Sequence, residues 1–262
     1  MLVLLPPSEG KATAVRGRPL ALDGLSLPEL TAARGAVLDE LVRLCEGDAD
    51  KAAEVLGLTP GLRGELAKNA ALRTAPTLPA AELYTGVLYD ALGLATLDAS
   101  ALRRARRSVL VFSGLWGVLR LADRVPSYRC SMGVRLPGTG GLASYWRPHL
   151  DAVLPEVAGG GLVLDLRSAA YAAAWKPQGA LAGRTATVRV LQVRVVGGVE
   201  KRSVVSHFNK ATKGELLRAL LTAGAAPKTV PALATALRDL GYEVEHPPGS
   251  PQLDVLLRGP GD

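Results

Sequence analysis

Apolar residues in this chain fall into two patterns. Runs at Leu2 to Leu5, Val109 to Phe112 and Leu162 to Leu166, the last broken only by Asp165, are short and read as buried strands. Apolar positions spaced three and four apart read as helices. One opens at Leu27-Pro28-Glu29 and runs to about Cys45, with Ser26 as its N-cap and Val37, Leu41, Leu44 and Cys45 on its apolar stripe. Asp50 to Leu56 and about Arg63 to Ala71 are shorter, and Thr59 and Pro60 suit the start of the second. Further helices are predicted from Gly86 to Leu92, from Asp98 to Arg107, over about Lys210 to Leu221, and from Thr229 to Leu240, where Gly241 is the stop. Thr185 to Val196 and Val199 to Ser206 alternate around Gly197-Gly198 and predict a hairpin with a two-residue turn. Tyr242 to Glu245 and Leu253 to Leu257 close the pattern as strands.

Strands interleaved with helices over 262 residues indicate an α/β chain long enough for a proper core. Neither internal repeats nor low-complexity segments interrupt it. The formal charge of +7 favours polyanionic partners, or else reflects arginine-rich coding. Cys45 and Cys130 make no disulfide framework and no zinc spacing. The N-terminus lacks the basic flank of a signal peptide, and no apolar run is long enough to span a bilayer, so a cytoplasmic protein without membrane contact is expected.

Four strands end in polar clusters, and ligands of α/β proteins usually bind at such ends. Leu5 leads to Ser8, Glu9 and Lys11. Phe112 leads to Ser113 and Arg120, with Asp123, Tyr128 and Arg129 beyond. Leu166 leads to Arg167, Ser168 and Tyr171. Val205 leads to Ser206, Asn209, Lys210 and Lys213. Repetition of serine with basic residues suggests convergence on one anion. Lys210 and Lys213 share a face at an expected helix start, where two cations oppose the helix dipole unless an anion is held. Glu9, Asp123 and Tyr128 are candidate proton carriers. Ser8-Glu9-Gly10-Lys11 lacks Walker spacing, and Ser113, His207 and Asp123 make a triad only on paper, with no nucleophile elbow. No cofactor motif or metal-ligand set is evident. The turn Gly57-Leu-Thr59-Pro-Gly61, followed by Arg63 and Lys68, can offer backbone N–H groups and cations to a DNA phosphate without reading sequence, or be an ordinary helical corner.

Several segments together resemble the YaaA-type peroxide stress proteins of bacteria. They are Leu4-Leu5-Pro-Pro-Ser8-Glu9-Gly-Lys11, Leu83-Tyr84-Thr-Gly86-Val-Leu-Tyr89, Ser113-Gly-Leu-Trp116-Gly-Val-Leu-Arg120, Pro126-Ser-Tyr128-Arg129-Cys-Ser-Met132, Tyr145-Trp146, Asp165-Leu-Arg-Ser168-Ala-Ala-Tyr171 and Ser206-His-Phe-Asn-Lys210-Ala-Thr-Lys213-Gly214. The resemblance implies a mixed α/β (α+β) fold of one compact body over residues 1–262. It further implies a central mixed β-sheet, flanking helices and a helix–hairpin–helix element about residues 50–72. It also implies a positively charged cleft, duplex DNA as a partner, and protection against hydrogen peroxide by limiting free iron. The chain departs from the family pattern at His207, Ala211 and Lys213, which weakens DNA affinity carried by that helix. Two readings follow: a DNA-binding peroxide-stress protein, and an enzyme on a nucleotide-like or phosphate-bearing small molecule. A monomer is expected.

Overall fold

The computed structural model describes residues 1–204 and 206–258; the side chains of Val196, Ser206, His207 and Phe208 lie outside that description. Eight strands form the main sheet: β1 (Leu2–Leu5), β2 (Val109–Ser113), β3 (Gly117–Arg120), β4 (Val163–Asp165), β5 (Thr185–Val196), β6 (Val199–Ser203), β7 (Glu243–Glu245) and β8 (Gln252–Arg258). Their order is β7-β8-β5-β4-β1-β2-β3, with β6 folded back on β5. β8, β5, β4, β1 and β2 run parallel, while β7, β3 and β6 are antiparallel to their neighbours. This is a mixed α/β fold around a central mixed sheet, as the sequence implied. The parallel stretch brings the carboxyl ends of β1, β2 and β4 to one edge.

Each central strand is apolar because helices cover both faces of a parallel sheet. All of β1 is buried, with Val3, Leu4 and Leu5 at 0% exposure. The main helices are α1 (Thr31–Glu46), α2 (Ala49–Leu56), α3 (Gly64–Ala70), α4 (Val87–Leu92), α5 (Ala99–Ser108), α6 (Leu142–Ala158), α7 (Ser206–Ala223) and α8 (Val230–Asp239). One continuous apolar cluster joins residues of β1 to β5 and β8 with Trp116, Trp146 and Trp175, each buried. The hairpin of β5 and β6 turns at Gly197 and Gly198, with φ of 63° and 77°. That left-handed pair matches the twist of the flanking strands.

The structure departs from the sequence expectations in three places that bear on function. The chain after Ser113 does not stay a loop: it turns through Gly114 to Trp116 and returns as β3, setting Arg120 opposite Leu110. A Cβ at Gly114 would stand 2.7 Å from the carbonyl oxygen of Cys130, and one at Gly117, where φ is +68°, would stand 2.7 Å from the Trp146 ring. Ser26 does not cap α1; Leu27 and the turn Pro28–Leu30 precede that helix, and Ser26 gives its amide and hydroxyl to Asp123 at 2.8 and 2.7 Å. Helix α7 begins at Ser206, so Lys210 and Lys213 lie inside it rather than at its start, and the dipole argument for an anion there lapses.

Candidate functional site

A cavity of about 570 Å³ lies off the carboxyl edge of the sheet. Its walls come from five stretches of chain: Pro6 to Lys11 after β1, Thr85 to Tyr89 at the start of α4, Arg129 to Gly133, Ser168 to Tyr171 after β4, and Lys210 on α7. Among the candidates, Ser8, Glu9, Lys11, Arg129, Ser168, Tyr171 and Lys210 therefore meet around one space.

The loop after β1 is fixed by hydrogen bonds before any ligand arrives. Ser8 Oγ donates to the carbonyl of Gly10 and accepts from the amide of Thr85 at 3.1 Å. The amide of Ala12 donates to the carbonyl of Leu83, and Lys11 bridges to Tyr84. Tyr89 donates its hydroxyl to the carbonyl of Pro6 at 2.7 Å. Lys11 Nζ thus hangs over the rings beneath it, 4.5 Å from the Tyr128 centroid and 5.7 Å from that of Tyr84. It donates to the carbonyl of Ser8 at 2.8 Å and, weakly, to that of Glu9 at 3.5 Å. Burial, then the nearby Arg129 cation, lowers its pKa from 10.5 to about 8. Arg129 pairs with Glu9 at 2.9 Å, at the mouth, where Glu9 is 85% exposed. Burial also pushes Tyr171 up to about 12 and Cys130 up to about 12, so the thiol stays protonated and unreactive at neutral pH.

The remaining candidates lie elsewhere. Tyr128 and Ser113 form the floor beneath Lys11: Ser113 Oγ and Tyr128 Oη are 2.6 Å apart, Tyr128 and Tyr84 hydroxyls 2.9 Å, and the Trp116 amide donates to Ser113 Oγ at 3.0 Å. Desolvation holds Tyr128 well above its ordinary pKa, so its hydroxyl is neutral and anchors the floor beneath Lys11. Arg120 lies outside the cavity lining and donates to the carbonyl of Arg107, because the β2–β3 hairpin carries it back along the sheet. Asp123 is buried and accepts from Ser26 and from the amide of Arg120, so it closes a turn. Lys213 points below the cavity to the carbonyl of Leu166 at 3.4 Å. Asn209 has its Oδ1 buried with no partner among the described residues. The Ser206 side chain lies outside the described residues.

The sequence reading missed Thr85, Val87, Leu88, Tyr89 and Met132, which supply the apolar lip of the cavity. Arg167, one of the polar cluster after Leu166, does not face the cavity but forms a buried pair with Asp165, 2.6 Å apart at the end of β4, and its guanidinium stacks 4.1 Å over Phe112. The Asp-Leu-Arg spacing carried the signal of that pair. A second hollow of about 620 Å³ lies between α1, α2 and residues 137–139. Its carboxylates are already engaged: Asp39 pairs with Arg73, and Glu40 accepts from the amides of Gly138 and Thr139.

Away from the cavity, α2 ends on Gly57, left-handed at φ 62°, and the chain passes through the turn Pro60–Leu62 into α3. Gly57, Thr59, Gly61, Arg63 and Lys68 are all exposed. Thr59 makes no side-chain cap. Arg63 pairs with Asp50 and Lys68 with Glu65, each at 2.5 Å. Among the described residues, no group of three or more His, Cys, Asp or Glu could hold a metal ion, and no helix is long and apolar enough to cross a membrane.

The profile of the family described as Peroxide stress protein YaaA matches residues 1–247. The chain belongs to that family. It is similar to a UPF0246 protein of Streptomyces coelicolor, 67% identical over 245 residues that cover 94% of this chain and 92% of the relative. A UPF0246 protein of Corynebacterium efficiens is 42% identical over 247 residues, covering 94% and 95%. A third, of Shewanella woodyi, is 29% identical over 229 residues, covering 84% and 86%. The YaaA match takes in every wall of the cavity and supports a general role in oxidative stress.

Proposed function

We propose that this YaaA-family chain serves peroxide stress through a pocket that holds a small anionic ligand carrying a phosphate or nucleotide-like group. The observation that carries this reading is the meeting of Lys11, Arg129 and Lys210, from three distant parts of the sequence, on one cavity of about 570 Å³. That volume suits a small molecule, and its mix of apolar lip and convergent cations suits an anion attached to a ring or short chain. Glu9, tethered to Arg129, is the carboxylate placed to move a proton if the ligand is turned over. Calorimetric titration with inorganic phosphate and a nucleotide panel tests it. At least one ligand should bind, and Arg129→Ala or Lys210→Ala should each weaken it about tenfold, the scale of one charge-assisted contact. Absence of any heat across the panel would sink the reading.

Duplex DNA is a second ligand, supported by the exposed turn from Gly57 to Gly61 with Arg63 and Lys68 beside it. Their pairs with Asp50 and Glu65 lie on the surface, where breaking an ion pair costs little. Binding there would be independent of sequence and steeply salt-dependent, and Arg63→Ala with Lys68→Ala should flatten the salt slope. A slope unchanged by the double substitution would place DNA elsewhere or exclude it. In this reading protection from iron-driven damage is exerted at the DNA and the pocket.

A further inference from the structure

We propose that Lys11 is a reactive amine that condenses with the carbonyl group of an anionic aldehyde or ketone seated in the pocket. The proposal rests on the anion-pocket reading above and adds a class of chemistry to it. A nucleophilic lysine needs an amine that is partly neutral near pH 7, a fixed position and access to substrate. Lys11 meets each condition. Its hydrogen bonds go to the main-chain carbonyls of Ser8 and Glu9. The Glu9 carboxylate turns to Arg129 instead, at 2.9 Å. Burial and the Arg129 cation lower the Lys11 pKa, outweighing the opposing influence of Cys130, Glu65 and Glu9, and leave it at about 8. The side chain is pinned over a floor that cannot shift, because Tyr128 is held by both Ser113 and Tyr84. Access is open, since Lys11 is part of the cavity wall.

The same cavity supplies the second half of the recognition. Arg129 and Lys210 can hold the anionic end of a molecule whose carbonyl lies over Lys11, and the lip from Val87 to Tyr89 can cover the apolar part between. In the step itself, neutral Nζ adds to the carbonyl carbon and a carbon–nitrogen bond forms. The two amine protons pass to the carbonyl oxygen, which departs as water and leaves an imine. No oxidant or cofactor is consumed. Lys210 is exposed, and Lys213, though burial lowers its pKa as well, turns to the carbonyl of Leu166 and does not line the cavity, so Lys11 alone of the three joins a lowered pKa to the cavity wall.

The test uses the whole chain and two probes that differ only in the carbonyl. Pyridoxal 5′-phosphate carries an aldehyde and a phosphate; pyridoxine 5′-phosphate has an alcohol in place of the aldehyde. With less than one equivalent of the aldehyde at pH 8 and borohydride to fix the imine, peptide mass mapping should find the adduct on Lys11. The preference over other lysines should be about tenfold, since a lowered pKa raises the neutral fraction at some loss of nucleophilicity. Inorganic phosphate should slow the labelling, and Lys11→Arg should remove this adduct while the remaining lysines label as before. Pyridoxine 5′-phosphate binding with adducts only on Lys210 or other lysines would overturn the proposal and spare the anion pocket. Failure of both probes and of phosphate to bind would overturn the two together.

Discussion

Gly214 sits where α7 crosses α4, and a Cβ there would overlap the carbonyl oxygen of Leu88. Neither backbone can yield without moving its helix, so Gly214→Ala is expected to lower stability by about 1–3 kcal/mol, read as a shift of the urea midpoint. Asp123 presents the complementary case of a buried acceptor. Asp123→Ala strands the amides of Ser26 and Arg120 and should lower stability by about 2–3 kcal/mol, while phosphate affinity of the folded fraction stays unchanged because Asp123 does not line the cavity. The sequence showed Asp123 and Arg120 as candidates for chemistry because they follow a strand end closely. Nothing local announced that Gly114 and Gly117 allow the chain to reverse between packed Cys130 and Trp146. By contrast Ser8, Lys11, Ser168 and Tyr171 follow directly on the parallel strands β1 and β4, so their convergence was legible from sequence order alone.

At the scale of elements, capping chemistry was readable at Asp98 and Thr229, though not at Thr59, which suits a cap by type and makes none. Asp98 accepts from the amides of Ser100 and Ala101 at the head of α5, and Thr229 from that of Ala232 at 3.2 Å at the head of α8. Thr229→Ala should therefore lower stability by about 1 kcal/mol without changing ligand affinity, checked by thermal unfolding with and without phosphate. The glycine pair between β5 and β6 was equally plain, since a two-residue turn of that hand requires positive φ twice. Where an element's start depends on distant contacts, local signals failed. Ser26 suits a cap by residue type, yet the buried carboxylate of Asp123 takes its hydroxyl. Helix α7 starts at Ser206, four residues before the expected Lys210, and its packing against α4 carries Lys210 to the cavity rim.

For the whole molecule, the lowered pKa of Lys11 predicts a linked dependence on pH. Folding shifts that group from 10.5 to about 8, so between those values the unfolded chain binds more protons and stability rises with pH. Below about pH 8 the cost of burying the charged amine is fully present. Anion affinity runs the other way and should fall above about pH 8 as the pocket loses a cation. Urea unfolding at several pH values from 7 to 10 (roughly the span of this titration) should show a steeper rise for the wild type than for Lys11→Met; equal slopes would refute the linkage. The central strand also constrains how the chain comes into being. β1 is synthesised well before its partners, which are β2, pairing Val3 with Val109, and β4, pairing Val3 with Leu164. An apolar strand with both edges open must wait on the ribosome until residue 109 and again until residue 163 have emerged, a delay during which exposed edges invite aggregation. Soluble yield of this protein should accordingly rise with chaperone supply during translation.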